Sequence, residues 1–256
     1  MDDVILLIDG STLAFLHAGK KNYKETVKQH ILNLLNKYKT EHFLIILERS
    51  NSNFRNEVAK TKKYKAHRRT KKAQDNINKY SPYLKDVFEE IRENYNPKTY
   101  LGIENDDALG ILSTRFKNTV IIGNDKDLLC IPGVHHNLRT NKINVVSYPG
   151  NIRLVKGKIK ATGYFQVYSQ VIKGSPKENY PGVTGFGDKK TYELLKDLKT
   201  EEEMQKVCTE LFVTTYGITE GIKKLEEGFR LSWIILENHN LITPEPINYK
   251  ELPIFD

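Results

Sequence analysis

Three short apolar runs, at residues 4–8, 43–47 and 119–122, each give way to an acid: Asp9, Glu48 and Asp125, with Asp127 two residues further on. Glu104, Asp106 and Asp107 open the helical stretch that precedes the third run. Seven carboxylates aimed at one crevice would repel and shift one another's pKa values unless hard cations lay between them. Oxygen ligands of this kind suit Mg²⁺ or Mn²⁺. Each acid alone has an ordinary explanation. Asp106 and Asp107 would favour a helix dipole by about 0.3–1 kcal/mol each; Asp9 could open a turn before Gly10, and Asp125 could cap a short helix. Together, those explanations require one location to collect acids by chance, so the cluster is the better reading.

The chain carries 40 Lys and Arg against 32 Asp and Glu, a net charge of +8. Nine of the bases (Arg55, Lys60, Lys62, Lys63, Lys65, Arg68, Arg69, Lys71 and Lys72) fall within one segment with a single acid, Glu57. Outside it, 31 bases balance 31 acids, so the whole excess is local. A solvated helix face would interleave its signs; this block fits a polyanion, with Arg55, Lys62, Lys63, Arg69 and Lys71 as phosphate contacts.

These groups need a scaffold. Continuous apolar β-prone runs are strands buried on both faces of a parallel sheet. Between them, Val27, Ile31, Leu34, Leu35 and Tyr38 recur at helical spacing, as do Leu84, Val87, Phe88 and Ile91. Residues 106–116 read as a further helix, and Val145-Val146 as a fourth strand. The fold class is therefore α/β, a mainly parallel central sheet flanked by helices, whose sites form beyond the carboxyl ends of the strands. From about Tyr164 strand signals stop. Helices are expected at 164–173, 189–198, 201–216 and 219–238, the first two joined by a loop with Gly174, Gly182, Gly185 and Gly187. The expected division is a core at 1–160, with a basic arch at about 50–100, and a helical region at 161–256 packed on it.

Other chemistries have less support. No apolar run approaches the roughly 18 residues of a membrane span, and the N-terminal run is too short and acidic for a secretory signal. Cys130 and Cys208 read as reduced core residues, which fits a cytoplasmic chain. No glycine-rich nucleotide motif follows a strand. His135-His136 lacks partners at zinc spacing, and nothing links Ser11 to a base.

The order of motifs resembles the 5′-nuclease (flap endonuclease) superfamily. It comprises Asp9-Gly10; Phe54-Arg55, then Tyr64-Lys65-Ala66-His67-Arg68; Glu104-Asn105-Asp106-Asp107; Asn124-Asp125-Lys126-Asp127; and Gly174-Ser175-Pro176-Lys177-Glu178-Asn179-Tyr180-Pro181-Gly182-Val183, followed by Gly185-Phe186-Gly187. The likeness runs from residue 4 to about 198 and is similar in kind to short phage exonucleases and the nuclease domain of bacterial DNA polymerase I. It implies a two-metal phosphodiester hydrolase in DNA replication or repair, a basic helical arch, and a helix–three-turn–helix (helix-hairpin-helix) that grips duplex DNA. By the resemblance, Asp9, Glu104 and Asp106 match the first metal site, with Glu48 where the family has Asp. Asp107, Asp125, Asp127 and Glu178 match the remaining metal positions, and Lys65 and Arg68 the arch residues that meet the scissile phosphate. It further implies K⁺ at the hairpin, and as partners DNA with 5′ ends or flaps and RNA in hybrids. No membrane partner is implied, and no feature points to an oligomeric state.

Two cations could hold the attacking and leaving oxygens of the phosphodiester, with Lys65 and Arg68 adding positive charge. Gly185 and Gly187, leading into Lys189 and Lys190, offer close backbone approach and helix-terminal amides to a phosphate. Where the family's motif has two Asp, this chain has Ser175 and Glu178, so the second metal site is expected to be the weaker. That departure motivates an alternative, a DNA-structure-binding protein with weakened catalysis. A third reading, a single-strand ribonuclease, fits the basic block and glycine-rich hairpin less well.

Overall fold

Strand β1 (Ile5–Asp9) lies between β2 (Phe43–Ile46) and β3 (Thr119–Ile122) in a five-stranded sheet of order β2-β1-β3-β4-β5. The first three contacts across it are parallel; only β4 (Gly133–His136) with β5 (Ile143–Val146) is antiparallel. This computed structural model describes residues 3–48, 53–66 and 70–237, without the side chains at 72–74, 76 and 77. Arg68 and Arg69 lie outside the described residues.

The two-residue period of the strands sorts their side chains. Leu6, Ile8, Ile45, Val120 and Ile122 pack with Leu13 and Ala14 of α1 (Gly10–His17), Val27, Ile31 and Leu34 of α2 (Tyr23–Tyr38), and, beyond the single turn α3 (Arg55–Val58), Val87 and Ile91 of α4 (Lys71–Asn94). Leu7, Ile46 and Ile121 point the other way. They join Leu109 and Leu112 of α5 (Asn105–Arg115), Tyr168 and Val171 of α6 (Tyr164–Lys173), Leu195 of α7 (Asp188–Leu195), Phe212 of α8 (Glu201–Tyr216) and Leu225 of α9 (Ile218–Ser232). Burial on both faces explains why β1 reads as an unbroken apolar run. The second cluster is continuous from the sheet into the C-terminal helices.

Several elements differ from the sequence reading. The boundary expected at 160/161 falls inside β7 (Lys158–Gly163), which pairs in a hairpin with β6 (Gly150–Val155). That hairpin turns at Lys156 and Gly157, both with positive φ (49° and 73°). The backbone is the one usually signalled by Asn-Gly, so Lys-Gly hides it. Helix α4 begins at Lys71 and runs through Pro82, with Tyr80 and Tyr83 exposed on its first half. Between α6 and α7 a two-residue ladder joins β8 (Gly174–Ser175) to β9 (Tyr180–Pro181). Helix α9 stops at Ser232 rather than continuing to 238. There Trp233 O accepts from Arg55, and Ile235 N donates to Asp107 at 3.1 Å, so tertiary partners replace helical ones. No helix among the described residues is long and apolar enough to cross a membrane.

Candidate active site

Asp9 is the N-cap of α1. Its carboxylate accepts from the Ser11 and Thr12 amides at 3.0 and 3.3 Å and from the Thr12 hydroxyl. Gly10 follows because the helix starts hard against β2: a Cβ there would lie 2.8 Å from Ile46 O and 2.5 Å from Leu47 Cδ2. Asp125 caps the 3₁₀ turn at Lys126–Cys130 through the Asp127 amide, 3.0 Å away. Capping and clustering are thus the same event: the turn that ends each strand also fixes the direction of its acid.

Asp9, Glu48, Glu104, Asp106, Asp125, Asp127 and Glu178 line one cleft of about 900 Å³, at the carboxyl ends of β1, β2 and β3. Arg55, at 3.7 Å from Glu104, lines it too, as do Lys65, Lys126, Arg139 and Lys177. Asp106 has no hydrogen-bond donor among the described residues. Burial, then the charges of Asp9, Asp125, Glu104 and Asp107, push its carboxyl well above the usual carboxylate range. Burial also raises Asp9, which the Thr12 and Ser11 bonds only partly offset. Glu104 behaves oppositely: burial would raise it, but Arg55 and Lys65 outweigh that and hold it down. Asp125 is likewise lowered, because Lys177 overcomes its burial.

Among the described residues no three His, Cys, Asp or Glu side chains stand as a ready metal-ligand set. The carboxylates are turned onto protein donors instead: Glu104 onto Lys65 (2.5 Å), Asp9 onto Asn105 (2.8 Å), Asp125 onto Lys177 (2.9 Å). Yet buried Asn105 Oδ1 and Glu178 Oε2 have no hydrogen-bond partner among the described residues. With the uncompensated Asp106, this donor chemistry fits a hard divalent cation.

Two residues belong elsewhere. Asp107, expected as a metal ligand, is fully buried, and both its oxygens bond to Arg55, at 2.5 and 2.8 Å. Arg55, expected on a phosphate, is 3% exposed and also bonds Trp233 O at 2.7 Å. Helical geometry explains the split. Asp106 and Asp107 are turned about 100° apart, so one faces the cleft and the next the packed base of the arch. From there Asp107 also accepts the Glu104 amide at 3.1 Å.

Lys62, Lys63 and Lys71 are exposed. Lys65 has left-handed backbone (φ 49°), uncommon for a residue with a side chain. Its amide is tied to Glu178 O at 3.3 Å, and Lys63 O accepts from Asn179 at 2.8 Å. Glu227 of α9 holds the amides of Lys60 and Thr61 at 2.7 and 2.8 Å. In the α6–α7 connection Gly185 has φ +80°, Gly187 caps α7, and Lys189 and Lys190 are exposed. Asp188, in the first turn of α7, is held at about 2: the Ile159 amide and Lys173 outweigh its burial. Sequence reasoning gave no role to Lys177, Arg139, Gln166, Gln170 or Glu227. Only the presence of Lys177 inside the Gly174–Val183 motif could have drawn notice to it.

Residues 4–149 match the family model described as 5′-3′ exonuclease, N-terminal resolvase-like domain. This chain belongs to that family. Its relatives include a 5′-3′ exonuclease from Buchnera aphidicola, 30% identical over 75% of this chain and 69% of the relative. Another, from Mycoplasmopsis pulmonis, is 25% identical over 78% and 68%. The fold of this 5′-nuclease superfamily member matches T5 5′-exonuclease solved with bound zinc, at a TM-score of 0.62 and 18% identity, over 88% of each chain. It also matches a bacteriophage T5 flap endonuclease solved with DNA and metal ions, at 0.57 and 16%, over 89% of this chain and 98% of that one.

Proposed function

We propose that this 5′-nuclease-family chain hydrolyses phosphodiester bonds of DNA at free 5′ ends or 5′ flaps, using Mg²⁺ or Mn²⁺. The observation that carries the reading is the convergence of seven carboxylates from separate elements on one cleft beside Lys65. Asp9, Glu104 and Asp106, with Glu48, would hold one ion; Asp125, Asp127 and Glu178 are the acids available for a second, weaker one. Held by these carboxylates, such ions would supply Lewis acidity towards the phosphate and the attacking water. Lys65 then turns from Glu104 to the reacting phosphate and adds positive charge. Arg68 is assigned the same task, though it lies outside the described residues. Lys62, Lys63, Lys71 and Arg69 draw in the backbone of the strand as a salt-sensitive patch.

The region from residue 161 is assigned to duplex binding. There α6, the Gly185–Gly187 turn and α7 act as a helix-hairpin-helix, with Lys189 and Lys190 towards the phosphate, and the same turn would hold K⁺, which would add positive charge there. The DNA and metal ions of the T5 flap endonuclease complex support this reading. RNA in hybrids is included as a substrate. The test is cleavage of a 5′-labelled flap duplex with Mg²⁺ or Mn²⁺, against a chelator control. Metal-dependent release of the 5′ arm is expected; no cleavage with either ion overturns the reading. A second reading, a DNA-structure-binding protein with weakened cleavage, draws on the pairing of Asp125 and Asp127 with Lys177. It predicts tight flap binding without product in the same assay.

A further inference from the structure

In the half of the cleft formed by Asp125 and Asp127, every acceptor already has a partner. Asp125 Oδ1 takes the Asp127 amide at 3.0 Å. Asp127 Oδ1 takes the side-chain amides of Gln170 and Gln166 at 2.5 and 3.3 Å. The remaining oxygens, Oδ2 of each, share one partner: the Lys177 ammonium, at 2.9 Å from Asp125 and 3.3 Å from Asp127. Of the two further motif positions, Ser175 is engaged within its own turn, while Glu178 keeps an oxygen, Oε2, without a hydrogen-bond partner among the described residues. Ser175 Oγ accepts the Glu178 amide at 3.1 Å, and the Glu178 carboxylate faces Lys65 at 3.7 Å. A cation already bridges the two carboxylates, and it belongs to the chain.

We infer that in the substrate-free protein the Lys177 ammonium takes the place of the second divalent ion, which makes that site the weaker one and leaves a single divalent cation tightly held, in the Asp9–Asp106 half. The inference rests on the metal-dependent reading above. Two carboxylates and one ammonium leave a charge of −1 there, too little to hold a second divalent ion tightly beside a fixed positive charge. A tethered lysine competes at high effective concentration, whereas a free ion must be recruited from solution. In the other half Asp106 has no donor among the described residues, so the need for a cation persists there. A lysine ammonium carries three N–H donors. Two meet the carboxylates and the third serves a phosphate oxygen of the substrate, supplying from the protein the positive charge that a second ion would bring.

Counting Mn²⁺ by electron paramagnetic resonance on the full chain, without DNA, tests this directly. Wild type is expected to hold one Mn²⁺ per chain tightly. Lys177→Met and Lys177→Gln, each checked for folding by thermal melting, should bind a second Mn²⁺ at least tenfold more tightly than wild type does. Lys126→Met removes an exposed lysine from the same cleft and should leave the count at one. Two Mn²⁺ of similar affinity in wild type would overturn the substitution and leave the nuclease reading standing. An equal gain in Lys126→Met would also overturn it, by showing a general effect of charge. No Mn²⁺ on wild type or on any variant would overturn both readings.

Discussion

Asp106 and Asp107 are neighbours in sequence, yet they serve two regions with opposite electrostatics. The cleft around Asp106 gathers carboxylates and gives that one no donor among the described residues, so its burial and their charges resist its ionisation. Beneath it, Asp107, Arg55, Trp233 O and Ile235 N form a closed node in which the charges and the polar atoms meet. The node joins the foot of the arch, α5 and the segment after α9; the cleft is crossed only by single bonds such as Asn105 to Asp9 and Lys65 to Glu104, which leave Asp106 out. Stability is stored in the paired region and chemistry in the unpaired one, and a single step along a helix separates them.

Breaking the node should have the largest effect. Arg55→Ala leaves Asp107 buried and unpaired, and is expected to destabilise the fold by about 3–5 kcal/mol. Arg55→Met with Asp107→Leu should recover most of that loss, since no orphan charge remains. Urea unfolding of both proteins checks it. A loss below 1 kcal/mol in the single variant would show that the node is not a buried charge pair in solution.

Breaking the cleft should move activity and stability in opposite directions. Asp106→Asn is expected to reduce flap cleavage by about 10²–10³-fold, the usual scale for removing one preorganised electrostatic group. The metal-free protein should melt higher. Its pH dependence follows from the raised carboxyl. Where the folded state holds a proton more tightly than the unfolded one, stability falls as pH rises through the window above the ordinary carboxylate value. The advantage of Asn over Asp should therefore be greatest at pH 8 and shrink towards pH 4. An advantage independent of pH would mean that the Asp106 charge is not the cause.

The arch allows the comparison to be sharpened. Lys65 faces Glu104 and Glu178 inside the cleft, so Lys65→Ala should lower turnover more than DNA binding. Lys62 and Lys71 are exposed, and alanine at either should weaken binding and flatten its salt dependence by about one unit of slope. Equal losses of turnover at all three positions would reduce the segment to a uniform patch.

The strands that carry Asp9, Glu48 and Asp125 were legible because burial on both faces leaves a local mark, an unbroken β-prone run. Helix α2 and the second half of α4 were legible from their period, and the ranges expected for α5, α6 and α8 agree with the structure to within a residue. The β6–β7 hairpin was not, because its alternation is short, with Arg153, Lys158 and Lys160 on the exposed positions, and Lys-Gly replaces the usual turn pair. Strand β4 hid its edge pairing behind His135-His136. The end of α9 was set by Asp107 and Arg55, far away along the chain, and no periodicity carries that information.

Sequence alone determined that acids would follow the ends of parallel strands and that a basic segment would stand near them, because strand endings and charge blocks are local properties. It could not decide which charges would meet. Arg55 with Asp107 and Lys177 with Asp125 are each separated by 52 residues. Their distances depend on how α5, the arch and the β8–β9 turn cross in space. Read along the chain, Arg55 is one more base in a basic block and Lys177 one more lysine in a loop. Only the tertiary structure turns the first into a buried clasp and sets the second between two carboxylates, since Coulomb energy follows separation through space rather than along the sequence.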